Sequence, residues 1–160
     1  MIDGGGSSPE RRDGAAAEAR MTGPRSLTFS AWRPGPPPTY VSAAEMLVRL
    51  GSFGLELTWR VRIHERGVHP ELEALIEGPR VETLPLLALL APRRQLIDAD
   101  FDGYAADGAL VVELQEFDSS AWDVRTRDPW LLDALPRWFP DAAPSPPSAW
   151  GAGAGESWPR

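Results

Sequence analysis

Cysteine and lysine are both missing from the 160 residues. Without cysteine there are no disulfides, no zinc knuckles and no thiol nucleophile. Without lysine there is no Schiff-base chemistry and no P-loop ammonium. All 16 basic residues are arginine, set against 23 acids, for a net charge of −7. An acidic balance of that size argues against a nucleic-acid partner. Long apolar runs are also lacking. The longest, residues 84–91, is interrupted by Pro85, far short of the roughly 20 residues that span a bilayer. No apolar stretch follows the start, so no secretory signal is expected and the chain reads as soluble and cytoplasmic.

What is present is enough for a core. Apolar residues make up 42% of the chain and charged residues 24%, a mixture that folds. Residues 1–25 are rich in Gly, Ala, Ser and charge without periodicity and are expected to be a disordered tail, with Met21 a candidate start. Residues 142–160 form a second Pro/Gly/Ala/Ser tail. The folded part is then 27–141, a single domain.

Within it, Leu27, Phe29 and Ala31 alternate with polar neighbours as a first strand, ended by the 34–38 proline stretch, which reads as plain loop. Ser42 and Glu45 have capping-box spacing for a helix to Leu50, with Gly51 placed to terminate it. Leu55, Leu57, Trp59, Val61 and Ile63 alternate with Glu56, Thr58, Arg60, Arg62 and His64, predicting a half-buried strand over 55–65. Helices are expected over 70–77 and from Thr83 to Ala91. Residues 95–104 and 109–117 read as a hairpin around Asp107-Gly108. Trp122, Val124 and Thr126 alternate as a last strand, and Asp128-Pro129 opens a helix that Pro136 stops. The order β-α-β-α-α-β-β-(β)-α predicts an α+β fold, a single mostly antiparallel sheet with helices on one face. The first β-α-β is a candidate parallel crossover.

The acidic charge is concentrated. Residues 27–97 carry eight arginines and seven acids; residues 98–141 carry three arginines and eleven acids, a net of −8. With the turn at Asp107-Gly108, opposed hairpin residues have numbers summing to 215. Phe101 then faces Leu114 and Gly103 faces Val112 on an apolar side. Asp102 faces Glu113, Asp100 faces Gln115 and Asp98 faces Phe117 on the other. Opposed like charges destabilise a hairpin by up to about 1 kcal/mol, so something should offset them.

Three offsets are possible. Arg60, Arg62 and His64 share the period of the acids, and a neighbouring strand 55–65 would pair them internally. A basic protein partner is the second, with Asp98, Asp100, Asp102, Glu113, Asp118 and Trp122 as the binding surface. In size, charge and lack of cysteine the chain resembles small bacterial immunity or inhibitor proteins, which implies a non-enzymatic binding protein. A cation is the third. Asp98, Asp100, Asp102 and Gly103 fit the opening D-x-D-x-D-G of a calcium loop, but the twelfth position is Ala109 rather than glutamate. This makes calcium, or magnesium, the alternative ligand. A small-molecule pocket between the sheet and the helix at 84–91 is a further alternative.

Catalytic patterns are sparse. His64 and His69 read as solvated or hydrogen-bonded imidazoles, and residues 51–54 lack the G-x-S-x-G elbow of a serine hydrolase. Tyr104, beside the turn, is expected to be the most exposed aromatic of the hairpin.

Overall fold

The computed structural model describes residues 24–91 and 94–145. The N-terminal tail up to residue 23, and the C-terminal tail from residue 146, lie outside the described residues. The chain is α+β. Its main sheet has seven strands: β1 (Arg25–Ser30), β4 (Thr58–Ile63), β5 (Val81–Glu82), β6 (Ala99–Tyr104), β7 (Leu110–Phe117), β8 (Ala121–Thr126) and β9 (Ala143–Pro144). They lie in the order β5-β4-β6-β7-β8-β1-β9. A small two-stranded sheet joins β2 (Trp32–Arg33) to β3 (Thr39–Tyr40). Five helices complete the described elements: α1 (Ala43–Arg49), α2 (Gly51–Leu55), α3 (Pro70–Ile76), α4 (Thr83–Leu90) and α5 (Pro129–Trp138).

The helices start and stop where local chemistry dictates. Ser42 Oγ accepts from the Glu45 backbone N–H and caps α1. Gly51, at φ +56°, takes the left-handed position after it. The chain then turns immediately into α2 rather than entering a strand. Leu55 therefore ends a helix and faces solvent, and the strand expected over 55–65 is confined to Thr58–Ile63. Asp128 caps α5 through the Leu131 N–H, with Pro129 in the first turn. Pro136 does not stop α5. It lies in the last turn, where only one bond is forfeited, and the helix runs on to Trp138.

Every paired strand of the main sheet is antiparallel. The first β-α-β is thus no parallel crossover. β1 lies far from β4 and pairs with β8, Phe29 opposite Trp122. Ala143 and Pro144, expected in the tail, pair with β1 at the sheet edge. The hairpin register is the expected one from Asp100↔Gln115 to Gly103↔Val112, then slips at Tyr104, which faces Leu110. Asp98 does not extend the ladder opposite Phe117, because its backbone turns at φ +53°.

One face of the sheet is covered. Trp59, Val61, Phe101, Val112, Leu114, Trp122, Val124 and Phe29 meet Met46, Leu47, Leu86, Leu90, Leu131 and Leu135 of the helices. Gly103 is required at the tightest point. A Cβ there would come within 2.7 Å of Val112 Cγ1 and 2.9 Å of the Trp59 ring.

Candidate functional site

The uncovered face shows what offsets the acidic hairpin. β4 lies beside β6 with Arg60 opposite Asp102 and Arg62 opposite Asp100. Arg62 Nη1 donates to Asp102 Oδ2 at 2.8 Å, and its Nε donates to Asp100 Oδ2 at 3.3 Å. Arg60 reaches Asp102 at 3.3 Å, and His64 Nε2 lies 3.2 Å from Asp100. From the other side Arg125 of β8 reaches Glu113 at 3.3 Å. Burial works to lower the Arg62 guanidinium, but the Asp102 and Asp100 bonds and charges outweigh it and hold it above its ordinary value. Asp102 is only 5% exposed. The centre of the hairpin is therefore an interleaved ion-pair network.

Four expectations change accordingly. Asp100, Asp102 and Glu113 are turned toward arginines of their own chain rather than outward. Trp122 is enclosed in the core, its indole N–H donating to the Val41 carbonyl at 2.8 Å. It is not a surface anchor. Tyr104 is buried too, under the Arg80 guanidinium 3.7 Å above its ring. The D-x-D-x-D-G segment forms no calcium loop. Asp100 and Asp102 lie on a strand, which spreads their carboxylates along one face instead of wrapping them around an ion. Among the described residues no group of three or more His, Asp or Glu side chains is gathered for a metal.

Leu86 and Leu90 of α4 are buried in the core rather than lining a pocket. Two depressions lie elsewhere. One of about 380 Å³ is floored by Phe53, Leu57, Ala105 and Val111. Another of about 330 Å³ lies between β4 and α3, between Arg62, Arg66, Glu73 and Glu77.

The remaining two expected residues, Asp98 and Asp118, meet at one end of the sheet. The Asp118 backbone N–H donates to Asp98 Oδ1 at 2.7 Å. Both residues, and Ser119, hold left-handed backbone angles near +50°, a conformation that costs a non-glycine residue. Ser119 Oγ donates to the Leu96 carbonyl, and the Trp32 indole N–H donates to the Ser119 carbonyl at 2.8 Å. Three segments are thereby laced together: β2, residues 96–98 and the β7–β8 turn. Each presents an exposed apolar side chain: Trp32 at 41%, Ile97 at 42% and Phe117 at 59%. Among the described residues, neither Asp98 nor Asp118 has an arginine or histidine within ion-pair distance.

Behind this corner lies a group that sequence reasoning missed. Glu116 follows Leu114 by two residues and so points to the covered face, opposite Ala99 and Trp122. It is 1% exposed. The Tyr40 hydroxyl hydrogen-bonds its Oε1, while Oε2 has no partner among the described residues. Burial pushes the Glu116 carboxyl up to about 7; the Tyr40 bond opposes that shift and the charge of Asp98 adds to it. Burial, then the Glu116 bond and charge, likewise push the Tyr40 phenol well above its ordinary value. The available signal was an acid on the apolar side of a predicted strand.

No helix among the described residues is long and apolar enough to cross a membrane. No family model, curated protein or solved structure matches the chain, so its own geometry supports the reading that follows.

Proposed function

We propose that the protein is a non-enzymatic binding protein that engages a basic protein partner through the corner formed by Trp32, Ile97, Asp98, Phe117 and Asp118. The observation that supports it is the juxtaposition in three laced segments of exposed apolar side chains with two carboxylates that have no cationic neighbour among the described residues. Apolar anchors ringed by acceptors have the composition of a binding hot spot. The net charge of −7 favours a positively charged surface opposite it. Of the six residues expected from the sequence this reading keeps Asp98 and Asp118 and leaves out Asp100, Asp102 and Glu113, which are engaged by arginines, and Trp122, which is buried.

The test is affinity capture with the full chain as bait, comparing wild type, Phe117→Ser/Asp118→Asn, and Asp133→Asn on the exposed side of α5. A captured protein with a strongly basic surface is expected to bind wild type and Asp133→Asn alike. The corner double variant should lose it at least tenfold, and association should slow as salt rises. Equal capture by the corner variant overturns the proposal.

A further inference from the structure

The segment from Ala31 to Val41 forms an arm over the covered end of the sheet. Its base is closed by the Val41 N–H donating to Ala31 O at 2.8 Å. Side-chain bonds hold it down, besides those at its base, where the Trp122 indole meets the Val41 carbonyl and the Ala31 N–H meets the Ser120 carbonyl. Trp32 bonds the Ser119 carbonyl, Arg33 forks onto Glu45 of α1 at 2.7 and 2.8 Å, and Tyr40 bonds Glu116. The Trp32 tie is exposed and the Arg33 fork is part-buried. The Tyr40 tie is enclosed, and it ends on a carboxyl with one oxygen that has no partner among the described residues.

A carboxylic acid suits that place and a carboxylate does not. Protonated, Glu116 carries no charge into the core. Ionised, it has a single hydroxyl donor and no counter-charge among the described residues, a costly arrangement at this depth. The titratable and charged groups that bear on it are Tyr40 from β3 and Asp98 from the segment ahead of β6, with the Leu96 backbone at the Tyr40 oxygen. Tyr40 offers only a hydrogen bond, and Asp98 is of like charge. Tyr40 is the side chain bonded to the carboxyl, so exposing the carboxylate on that side means lifting the arm. Lifting it also releases the Ser119 carbonyl, on a backbone held at φ +52°, from the Trp32 indole.

We propose that Glu116 and Tyr40 form a proton-sensitive latch: with Glu116 neutral the arm stays closed, and with Glu116 ionised the arm opens and withdraws Trp32 from the corner. The latch stands on the arm's geometry alone; that it regulates docking rests on the function proposed above. Its midpoint falls near neutrality, where burial places the Glu116 carboxyl.

The latch is read without any partner, by amide hydrogen exchange on the full chain at pH 5.5 and pH 8.0, corrected for intrinsic rates. Amides of residues 31–33 and 39–41 are expected to exchange at least tenfold faster at pH 8.0 in wild type. Glu116→Gln, uncharged at both values, should remove the difference. Should that variant fail to fold, a carbon-13 titration of the wild-type glutamate carboxyls takes its place. A buried carboxyl with a midpoint near 7 is expected there. Equal protection at the two pH values, a pH effect that persists in Glu116→Gln, or a Glu116 midpoint below about 5 overturns the latch. Loss of the binding proposal leaves these readouts untouched, and loss of the latch leaves capture by the corner untouched.

Discussion

At the scale of single residues, Arg62 carries the heaviest duty on the uncovered face. It serves two carboxylates, one of them buried. Removing it leaves Asp102 paired with Arg60 at 3.3 Å. Hydrogen bonds to charged groups contribute about 1.5–3 kcal/mol each, and a buried charge left short of partners costs a similar amount. Arg62→Ala should therefore destabilise the fold by roughly 2 kcal/mol, read as a lower urea midpoint. In a double-mutant cycle with Asp102→Ala the two losses should be clearly less than additive. The pairing of Arg60 and Arg62 with the hairpin acids was one of three offsets open from the sequence, because their period-two spacing matches. What one strand could not show was which strand lies beside it. Glu116 shows the converse. Its place among apolar neighbours was written in the alternation of Val112 and Leu114, but a search guided by clustered charge passes over a solitary buried acid.

At the scale of elements, local signals were the legible ones. The hairpin register follows from its turn and its alternation. The caps of α1 and α5 follow from Ser42 and Asp128. The latter cap gives a direct prediction. Asp128→Ala removes the acceptor of the Leu131 N–H at 2.9 Å and should cost about 1 kcal/mol, seen as a thermal midpoint lowered by several degrees. The elements that were misjudged depend on distant contacts. Residues 34–38 flank two strands too short to show a period, so the arm read as loop. Leu55 continued the alternation of β4 in sequence, yet Gly51 starts a new helical turn that consumes it. Of the proposed corner, Asp98 and Asp118 were legible as acids, whereas Trp32, Ile97 and Phe117 join them only through bonds between segments far apart in the chain.

At the scale of the whole molecule, Glu116 makes stability depend on pH. Its carboxyl lies near 7 in the fold, against an ordinary value of 4.5. A raised folded value means that its contribution is complete below about pH 4.5 and is lost as pH rises through 7. The shift corresponds to at most about 3 kcal/mol, since each unit is about 1.4 kcal/mol. Denaturant titration should show wild type losing stability between pH 5 and pH 8. Glu116→Gln should flatten that slope and be the more stable of the two at pH 8. A steeper loss in the variant would show that other groups govern the dependence.

The pairing of β1 with β8 also sets a timetable. Arg25 finds Thr126, and Phe29 finds Trp122, so β1 leaves the ribosome long before its partner β8 and is among the last strands to be placed. At about 5–20 residues per second, translation keeps β1 waiting for several seconds with its apolar side chains uncovered. The hairpin β6–β7 needs no such delay, since its strands are joined by a short turn and meet as soon as both have emerged. Residues 96–98 and the β7–β8 turn can be in position before β1 docks, but Trp32 reaches its Ser119 carbonyl only when β1 has been zipped onto β8. A nascent chain stalled before residue 126 would hold the acids of the corner without its indole, and would have nothing complete to offer a partner.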